Sequence, residues 1–366
     1  MFTRYAAALV LVVLGSTSAA FAQITPAAGY TPPDDTPSIK VGAVIYPDFT
    51  FQTNPEVTDS DGNVIHPNSF NVTRSYINIT GNISHIVAFR VTPDIARETN
   101  PASSLNGSLE FRIKYAYAQF NLDDWMTKGS YVRLGIQQTP WLDFAEGIYR
   151  YRFQGTMFPE REGYFASADA GASVHYQLPS NYGDVHAGVF NGENYNKAEP
   201  NDQKALMIRA TVRPLPSAPT LRGIRGSIFY DDDHYVKNAN RKRFIAALNF
   251  EHPFVAAGLE YLDTKDRAST SPADAEAEGK GFSIWATPRT AKGWEALLRY
   301  DHIEPSSVLF PSRVRNRTIV GGAYWFPHEG SVTSALLLDY DTQSFENFAV
   351  AMPRQSRIAL HGLISF

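Results

Sequence analysis

Charged and aromatic side chains are interleaved in one segment of the chain, residues 139–168, which reads TPWLDFAEGIYRYRFQGTMFPEREGYFASA. Its charged residues are Arg150, Arg152, Arg161, Asp143, Glu146, Glu160 and Glu162. A guanidinium group can hold a carboxylate or a phosphate through two parallel hydrogen bonds. These residue types therefore indicate noncovalent recognition of small charged solutes.

Common catalytic and nucleotide-binding motifs are missing from the sequence. The chain has no G-x-S-x-G elbow, no GK[ST] phosphate loop and no H-E-x-x-H pair. Because it has no cysteine, it has neither a disulfide framework nor a thiolate metal site, and we expect no cofactor. Lys and Arg number 33 against 37 Asp and Glu, a net charge of −4 that argues against nucleic acid as a partner.

The first 22 residues have the features of a secretory signal peptide. Arg4 precedes the apolar run AAALVLVVLG, and STSAAFA supplies an A-x-A cleavage site before Gln23. About ten apolar residues are too few to span a bilayer. The sequence therefore predicts export, a Pro-rich lead at residues 23–38 and a single domain over residues 39–366.

Strand-like segments fill the rest of the chain, and many alternate apolar and polar residues with a period of two. One such segment sets Leu109, Phe111, Ile113, Tyr115 and Tyr117 against Glu110, Arg112 and Lys114. The sixteen segments lie near residues 39–51, 70–81, 83–92, 108–121, 130–138, 169–178, 185–191, 204–213, 223–232, 241–251, 254–263, 280–288, 294–302, 315–326, 332–341 and 355–366. Strands of about 9–11 residues can cross the hydrocarbon of a bilayer when tilted.

The connections between these segments alternate between short and long. Residues 214–222 and 289–293 are short connections, whereas residues 139–168 form the longest. Short turns at one end and long loops at the other are typical of a bacterial outer-membrane barrel. Closure would pair the last strand with the first and place Phe366 in the aromatic belt at the periplasmic interface. We therefore predict an all-β, sixteen-stranded antiparallel transmembrane β-barrel surrounded by outer-membrane lipid.

Four short motifs carry a family resemblance: GIQQTPW (135–141), YRYR (149–152), EGYFASADAG (162–171) and GVFNGEN (188–194). Their spacing resembles that of the phosphate-selective porin O and P family, which implies a homotrimeric outer-membrane channel. In that family, anion selectivity is attributed to an arginine ladder along the lumen and to lysines on an inserted loop around a phosphate site. Residues 139–168 would be the loop that folds into the lumen as a constriction, and an external loop is the alternative.

The polar faces of the predicted strands are rich in basic residues. The basic residues are Arg74, Arg90, Arg112, Lys114, Arg133, Arg209, Arg213, Arg225, Arg243, Arg299, Arg315, Arg317 and Arg357. The acids on these faces are Glu110, Asp169, Asp231, Glu260, Glu295, Asp301, Asp339 and Asp341. A basic wall in an acidic protein favours anions in the pore.

The constriction departs from the phosphate site of the family. Its expected residues are Arg133, Arg150, Arg152 and Arg161 on a basic side and Asp143, Glu146 and Glu160 on an acidic side. Residues 139–168 contain three arginines, four acids and no lysine, which is not an obvious phosphate trap. The sequence therefore predicts passive diffusion of small hydrophilic solutes, with a weak preference for anions ahead of tight phosphate specificity.

Two other barrel functions stay open. An outer-membrane phospholipase or protease could draw its serine, histidine and aspartate from different strands, and His175 and His186 fall on polar faces of neighbouring segments. A structural or adhesive barrel would have a plugged lumen. The run DDDHY at residues 231–235 could bind a hard cation, although we expect a solvated charge cluster in an external loop.

Overall fold

The computed structural model describes residues 35–237, 239–267, 269–271, 275–348 and 350–366. The predicted signal peptide at residues 1–22 lies outside these residues, as does most of the predicted lead at 23–38. Among the described residues, no helix combines the length and the apolar character needed to cross a membrane.

Antiparallel strands make up most of the described chain. They are β1 (Ser38–Asn54), β2 (Val57–Thr58), β3 (Val64–Ile65), β4 (Asn68–Asn82), β5 (Val87–Arg97), β6 (Leu109–Asn121), β7 (Tyr131–Gln138), β8 (Ala168–Gln177), β9 (Gly183–Phe190), β10 (Ala205–Val212), β11 (Ile224–Val236), β12 (Ala239–His252), β13 (Val255–Asp266), β14 (Ala277–Pro288), β15 (Trp294–Glu304), β16 (Val314–Phe326), β17 (Thr333–Glu346) and β18 (Gln355–Ser365). Sixteen of these, β1 and β4 to β18, close into one barrel in chain order, and β2 pairs with β3 in the first long loop. The predicted all-β, sixteen-stranded architecture is confirmed.

The barrel closes through its two terminal strands. β1 pairs with β18, and the backbone of Ala43 exchanges two hydrogen bonds with Phe366, at 2.9 and 3.0 Å. Gly42 allows this close approach, because a Cβ atom there would lie 2.5 Å from the Phe366 carbonyl oxygen. The described barrel therefore leaves no free strand edge, and the Phe366 ring stays exposed on the outside.

The two faces of the barrel wall differ in polarity. On β10, Leu206, Ile208 and Val212 are exposed on the outside, whereas Arg209 is buried on the inside. In a bilayer this outward apolar face meets hydrocarbon, and backbone pairing satisfies the N–H and C=O groups that lipid cannot. The alternation in the sequence predicts this division because side chains on a strand point to opposite faces in turn.

The predicted outward positions of Tyr115 and Tyr117 are wrong. Where β5 pairs with β6, the register shifts at Pro93 and leaves Lys114 without a cross-strand partner. Proline has no N–H to donate, so it occurs in strands mainly at edges and at such bulges. A bulge exchanges the two faces, and both tyrosines therefore point inward, where Arg133 packs on the Tyr117 ring.

The expected solvated cluster at residues 231–235 is also wrong. β11 continues through these residues, and Asp232 pairs in register with Lys242 while Asp233 pairs with Arg241. Asp231 and Asp233 thus point inward and are buried. Hydrophobic alternation does not reveal this part of the strand, because its side chains are charged while its backbone ladder continues. Within the described residues, no group of three or more His, Asp or Glu side chains is arranged to hold a metal ion.

The long segment between β7 and β8 folds into the lumen and includes α1 (Pro140–Ile148) and α2 (Phe158–Arg161). Its aromatic side chains touch strands all round the barrel. The contacts are Trp141 with Phe229 of β11, Tyr149 with Trp285 of β14, Tyr151 with Trp325 of β16 and Phe153 with Tyr46 of β1. Only a segment inside the barrel can reach such widely separated strands, so the predicted inserted loop is confirmed. We call residues 139–167 the inserted loop.

Candidate solute passage

Buried arginines of the barrel wall hold the inserted loop in place, and we call them the anchor arginines. Arg133 of β7 lies 3.6 Å from the Asp143 carboxylate. The other three donate to backbone carbonyl oxygens of the loop: Arg209 of β10 to Pro140 (2.9 Å), Arg243 of β12 to Tyr164 (3.4 Å) and Arg299 of β15 to Thr156 (3.2 Å). These guanidinium side chains are at most 5 % exposed. The sequence predicts Arg133 on the basic side of the constriction and the other three as wall residues, and the structure places all four beneath the loop, away from solvent in the lumen.

Three residues expected on opposite sides of the constriction meet in one cluster. Arg152 lies 2.8 Å from Glu146 and 3.2 Å from Glu160, all within the inserted loop. Burial disfavours the charged guanidinium, but the two carboxylates outweigh that effect and hold the pKa of Arg152 well above its ordinary value. These three side chains therefore neutralise one another instead of lying on opposite sides of a gap.

The other two arginines of the inserted loop pair with acids of β15. Arg150 pairs with Glu295, and Arg161 lies 3.9 Å from Asp301. Burial, and then the like charge of Arg299, lower the pKa of Arg161 to about 10. Guanidinium groups stay charged at neutral pH even after such a shift, so both arginines are cations held against the wall.

A different set of inward arginines stays partly open to solvent, and we call them the open arginines. They are Arg74 (β4), Arg112 (β6), Arg315 and Arg317 (β16) and Arg357 (β18), with side chains 21–38 % exposed. Their strands lie on one continuous side of the closed barrel, from β16 through β1 to β6. The anchor arginines lie on the remaining strands. The open arginines and the anchor arginines, which lie beneath the inserted loop, therefore occupy different sides of the barrel.

Buried aspartates join the open arginines in pairs. Asp94 of β5 lies 3.1 Å from Arg74 and 3.8 Å from Arg112. Asp341 of β17 likewise lies 3.2 Å from Arg317 and 3.1 Å from Arg357. Both carboxylates are at most 2 % exposed, so at these two points guanidinium groups, and not acids, meet the solvent.

The remaining basic residues predicted for the wall make other contacts. Arg90 donates to the Asn78 side chain (2.8 Å), Lys114 to the Tyr76 hydroxyl (3.2 Å) and Arg213 to the Asn181 side chain in a turn (2.7 Å), while Arg225 pairs with Glu251. Each of these cations already has a protein partner. They contribute to the positive potential of the wall more than to direct solute contact.

His175 and His186, which the sequence places on polar faces, have hydrogen-bond partners that do not suit a catalytic base. The Ser173 hydroxyl donates to the Gln137 side chain (2.6 Å), and His186 Nε2 lies 3.1 Å from the same hydroxyl oxygen. Since the hydroxyl hydrogen is directed at Gln137, the histidine must donate to Ser173 and has no lone pair there to activate it. His175 faces the Gly129 carbonyl and a carboxylate with its two ring nitrogens. These residues are parts of the wall.

Two residues beside the open arginines, Asp94 and Tyr195, were not predicted from the sequence. The predicted strand ends at residue 92, before Pro93, so it did not include Asp94. The alternation of polar residues Arg90, Thr92 and Asp94 nevertheless continues through this position. Tyr195 belongs to a loop after β9, yet the Arg112 guanidinium lies 4.9 Å from its ring centroid. Periodicity contains no signal for the second contact, because a loop residue meets a strand that is distant in sequence.

Acidification is expected to strengthen any anion preference through Glu162 of the inserted loop, which pairs with Arg315. Burial raises the pKa of Glu162, and Arg315 only partly offsets this. A raised pKa means that the folded state holds the proton more tightly, so this group favours folding below its unfolded pKa and loses that contribution as pH rises through its folded pKa. As the pH falls through this raised pKa, the carboxylate loses its charge, and Arg315 keeps its own.

The measurement is the anion-to-cation permeability ratio of the wild type and Glu162→Gln over a series of falling pH values. The amide is neutral throughout, so the variant should start with the higher ratio and rise less on acidification. Removing a unit charge at about 5 Å in water changes ion occupancy by about fourfold, which sets the scale of the difference. Equal pH responses of the two proteins would contradict the assignment to Glu162.

The comparisons with known proteins agree on one architecture. The family described as phosphate-selective porin O and P matches residues 49–246. Among solved structures, an anion-selective porin from Comamonas acidovorans has a TM-score of 0.62 at 10 % identity, over 90 % of this chain and 100 % of that one. The outer-membrane channel DcaP of Acinetobacter baumannii has a TM-score of 0.60 at 12 % identity, over 93 % of this chain and 100 % of that one.

A third similar structure is described as a trimer. OmpT of Vibrio cholerae, an outer-membrane protein folded in vitro and described as the trimer form, has a TM-score of 0.60 at 11 % identity, over 91 % of this chain and 100 % of that one. No curated protein sequence matches this chain. At such identities the solved structures establish the fold alone.

Proposed function

We propose that this chain, which belongs to the phosphate-selective porin O and P family and forms an outer-membrane channel, conducts small hydrophilic solutes by passive diffusion with a preference for anions. The observation that carries the proposal is the set of open arginines along one side of the lumen. Fixed cations beside a water-filled path raise the local concentration of anions and lower that of cations.

A weak preference fits the site better than tight phosphate binding. The arginines of the inserted loop are engaged by Glu146, Glu160, Glu295 and Asp301, and the loop has no lysine. A phosphate ion would have to displace these carboxylates to gain a bidentate contact. At two points one aspartate carboxylate faces two open arginines, so a net positive charge remains there and attracts anions in general.

The same proposal includes a homotrimer in outer-membrane lipid, after export with a cleaved signal peptide. Family membership supports the trimer, as does the trimer form described for OmpT of Vibrio cholerae. Family and fold also favour a channel over an outer-membrane enzyme. In this arrangement each protomer encloses its own lumen, since each barrel closes on itself.

Single-channel recording tests the function directly. The refolded mature protein would be inserted into a planar bilayer across a KCl gradient, and the zero-current potential would be read before and after phosphate is added. A steady open channel with an anion-favouring potential is expected, with little block by low phosphate. A cation-favouring potential would contradict the role of the open arginines, and the absence of conductance would favour a plugged structural barrel.

A further inference from the structure

Tyr195 lies far from the strand that carries its loop. The loop begins after β9, whereas the ring contacts Arg112 of β6, with the guanidinium carbon 4.9 Å from the ring centroid. Adjacent strands are about 4.8 Å apart, so the three strand spacings from β9 to β6 span about 14 Å. The backbone at residues 191 and 195 stays hydrogen-bonded to the start of β8, two strand spacings or about 10 Å from β6, so the side chains of Tyr195 and Arg112 meet over the lumen between these strands. We call residues 191–195 the second inserted segment.

The second inserted segment is fastened to the start of β8. The backbone N–H of Asn191 donates to Ala170 (2.8 Å) and that of Tyr195 to Ala168 (3.1 Å). The backbone N–H of Gly192 donates to the Asp169 carboxylate (2.7 Å). These bonds fix both ends of the segment and leave the Tyr195 ring, which is partly exposed, directed at the open arginines.

The turn of this segment depends on residues with unusual backbone angles. Gly192 has φ +93° and Asn194 has φ +72°, a region that side chains with a Cβ atom rarely adopt, although asparagine tolerates it. A Cβ atom on Gly192 would also lie 2.5 Å from a carboxylate oxygen of Asp233. The inward aspartate of β11 thus packs directly against the glycine. The turn and the contact with Asp233 therefore restrict the backbone that leads to Tyr195.

The position of Tyr195 coincides with a cluster of open arginines. Arg74 and Arg112 share the buried Asp94, and Tyr195 covers one face of the Arg112 guanidinium. Stacking of a ring on a guanidinium restrains the cation while leaving its N–H edges free to bind an anion. A ring at this point also occupies space that a hydrated solute would otherwise use.

We infer that Tyr195 sets the size limit for anions where the passage runs beside Arg74 and Arg112. The inference rests on the proposed anion channel and adds a specificity residue that the inserted loop does not contain. Small anions pass between the ring and the opposite wall and exchange contacts along the guanidinium edges. Bulky organic anions are held back by the ring and not by charge, because both kinds of anion carry the same sign.

The test compares Tyr195→Ala with the wild type in planar bilayers, using chloride and gluconate as small and large anions of equal charge. We expect the single-channel conductance to rise and the gluconate-to-chloride permeability ratio to increase severalfold. Tyr195→Phe keeps the ring and should match the wild type. Tyr182→Ala removes an exposed tyrosine from a turn outside the passage and should also match it.

A second variant is designed to move Tyr195 without changing its ring. Gly192→Ala introduces the Cβ atom that meets Asp233, so it should displace Tyr195 and raise the gluconate-to-chloride ratio as well. If Tyr195→Ala and Gly192→Ala both match a conducting wild type, the inference is wrong while the channel function stands. A wild type that fails to conduct would refute the proposed function itself, irrespective of Tyr195.

Discussion

The Arg299→Ala variant is expected to lose about 3–5 kcal/mol of unfolding free energy, the usual cost of leaving a buried charge without its partner. Arg299 makes a bidentate pair with Asp301, with nitrogen–oxygen distances of 2.8 Å for Nε and for its second terminal nitrogen. Its remaining terminal nitrogen donates to the Thr156 carbonyl of the inserted loop (3.2 Å). One substitution therefore removes the bidentate partner of a buried carboxylate, which keeps the Ser283 hydroxyl (2.6 Å) and Arg161 (3.9 Å), and it also releases a loop contact.

Arg357→Ala is the matched control for this prediction. Arg357 is also an inward arginine paired with an aspartate, but it is 38 % exposed, and Asp341 keeps Arg317 as a second partner at 3.2 Å. Partly exposed pairs of this kind contribute about 1 kcal/mol or less. The measurement is urea unfolding of the barrel in lipid vesicles, followed by tryptophan fluorescence.

An apolar replacement distinguishes the unpaired charge from other causes. Combining Arg299→Met with Asp301→Leu removes both charges and fills similar volume, and such exchanges are often neutral or stabilising. The double variant should therefore recover part of the lost stability, because Arg161 loses Asp301 as its acidic neighbour. The loop, still without the Thr156 contact, should be cleaved faster by a protease added from outside. Equal losses for Arg299→Ala and Arg357→Ala would show that burial does not govern these ion pairs.

The second large effect concerns selectivity at the cluster of Arg74, Asp94 and Arg112. Each single substitution, Arg74→Gln or Arg112→Gln, should lower the anion-to-cation permeability ratio by about fourfold, since a unit charge at about 5 Å in water changes the energy of an ion by about 0.8 kcal/mol. Asp94→Asn should change the ratio in the opposite direction, because it removes the acid that partly compensates both arginines.

The single variants are preferable to a double variant in this test. Asp94 is fully buried, and removing both arginines would leave its carboxylate unpaired and destabilise the barrel. Arg222→Gln, which neutralises an exposed arginine in the turn between β10 and β11, should leave the zero-current potential unchanged. The assignment of the passage to this side of the lumen is wrong if the Arg74 and Arg112 variants behave like the Arg222 variant.

The barrel itself could be predicted because its signal is local. Each strand faces lipid on one side and the lumen on the other, so a period of two is present in the sequence without reference to any other strand. Phe366 and Ala43 illustrate the same point, since closure follows once the terminal strands are found. The prediction failed at Tyr115 because a bulge at Pro93 changes the phase through a partner strand, and no period within one strand shows this.

The sequence by itself determined that this protein is a sixteen-stranded barrel with a loop long enough to enter its lumen, and it predicted a basic inner wall. Only the tertiary structure decided which inward arginines meet solvent. Arg209 and Arg357 both lie on the inward faces of their strands, yet Arg209 binds the Pro140 carbonyl beneath the inserted loop and Arg357 is partly exposed to solvent. Tyr195 likewise reaches Arg112 from a distant strand. The physical reason is that exposure inside a closed lumen depends on which part of the wall the inserted segments cover, and contacts between residues far apart in the chain determine that coverage.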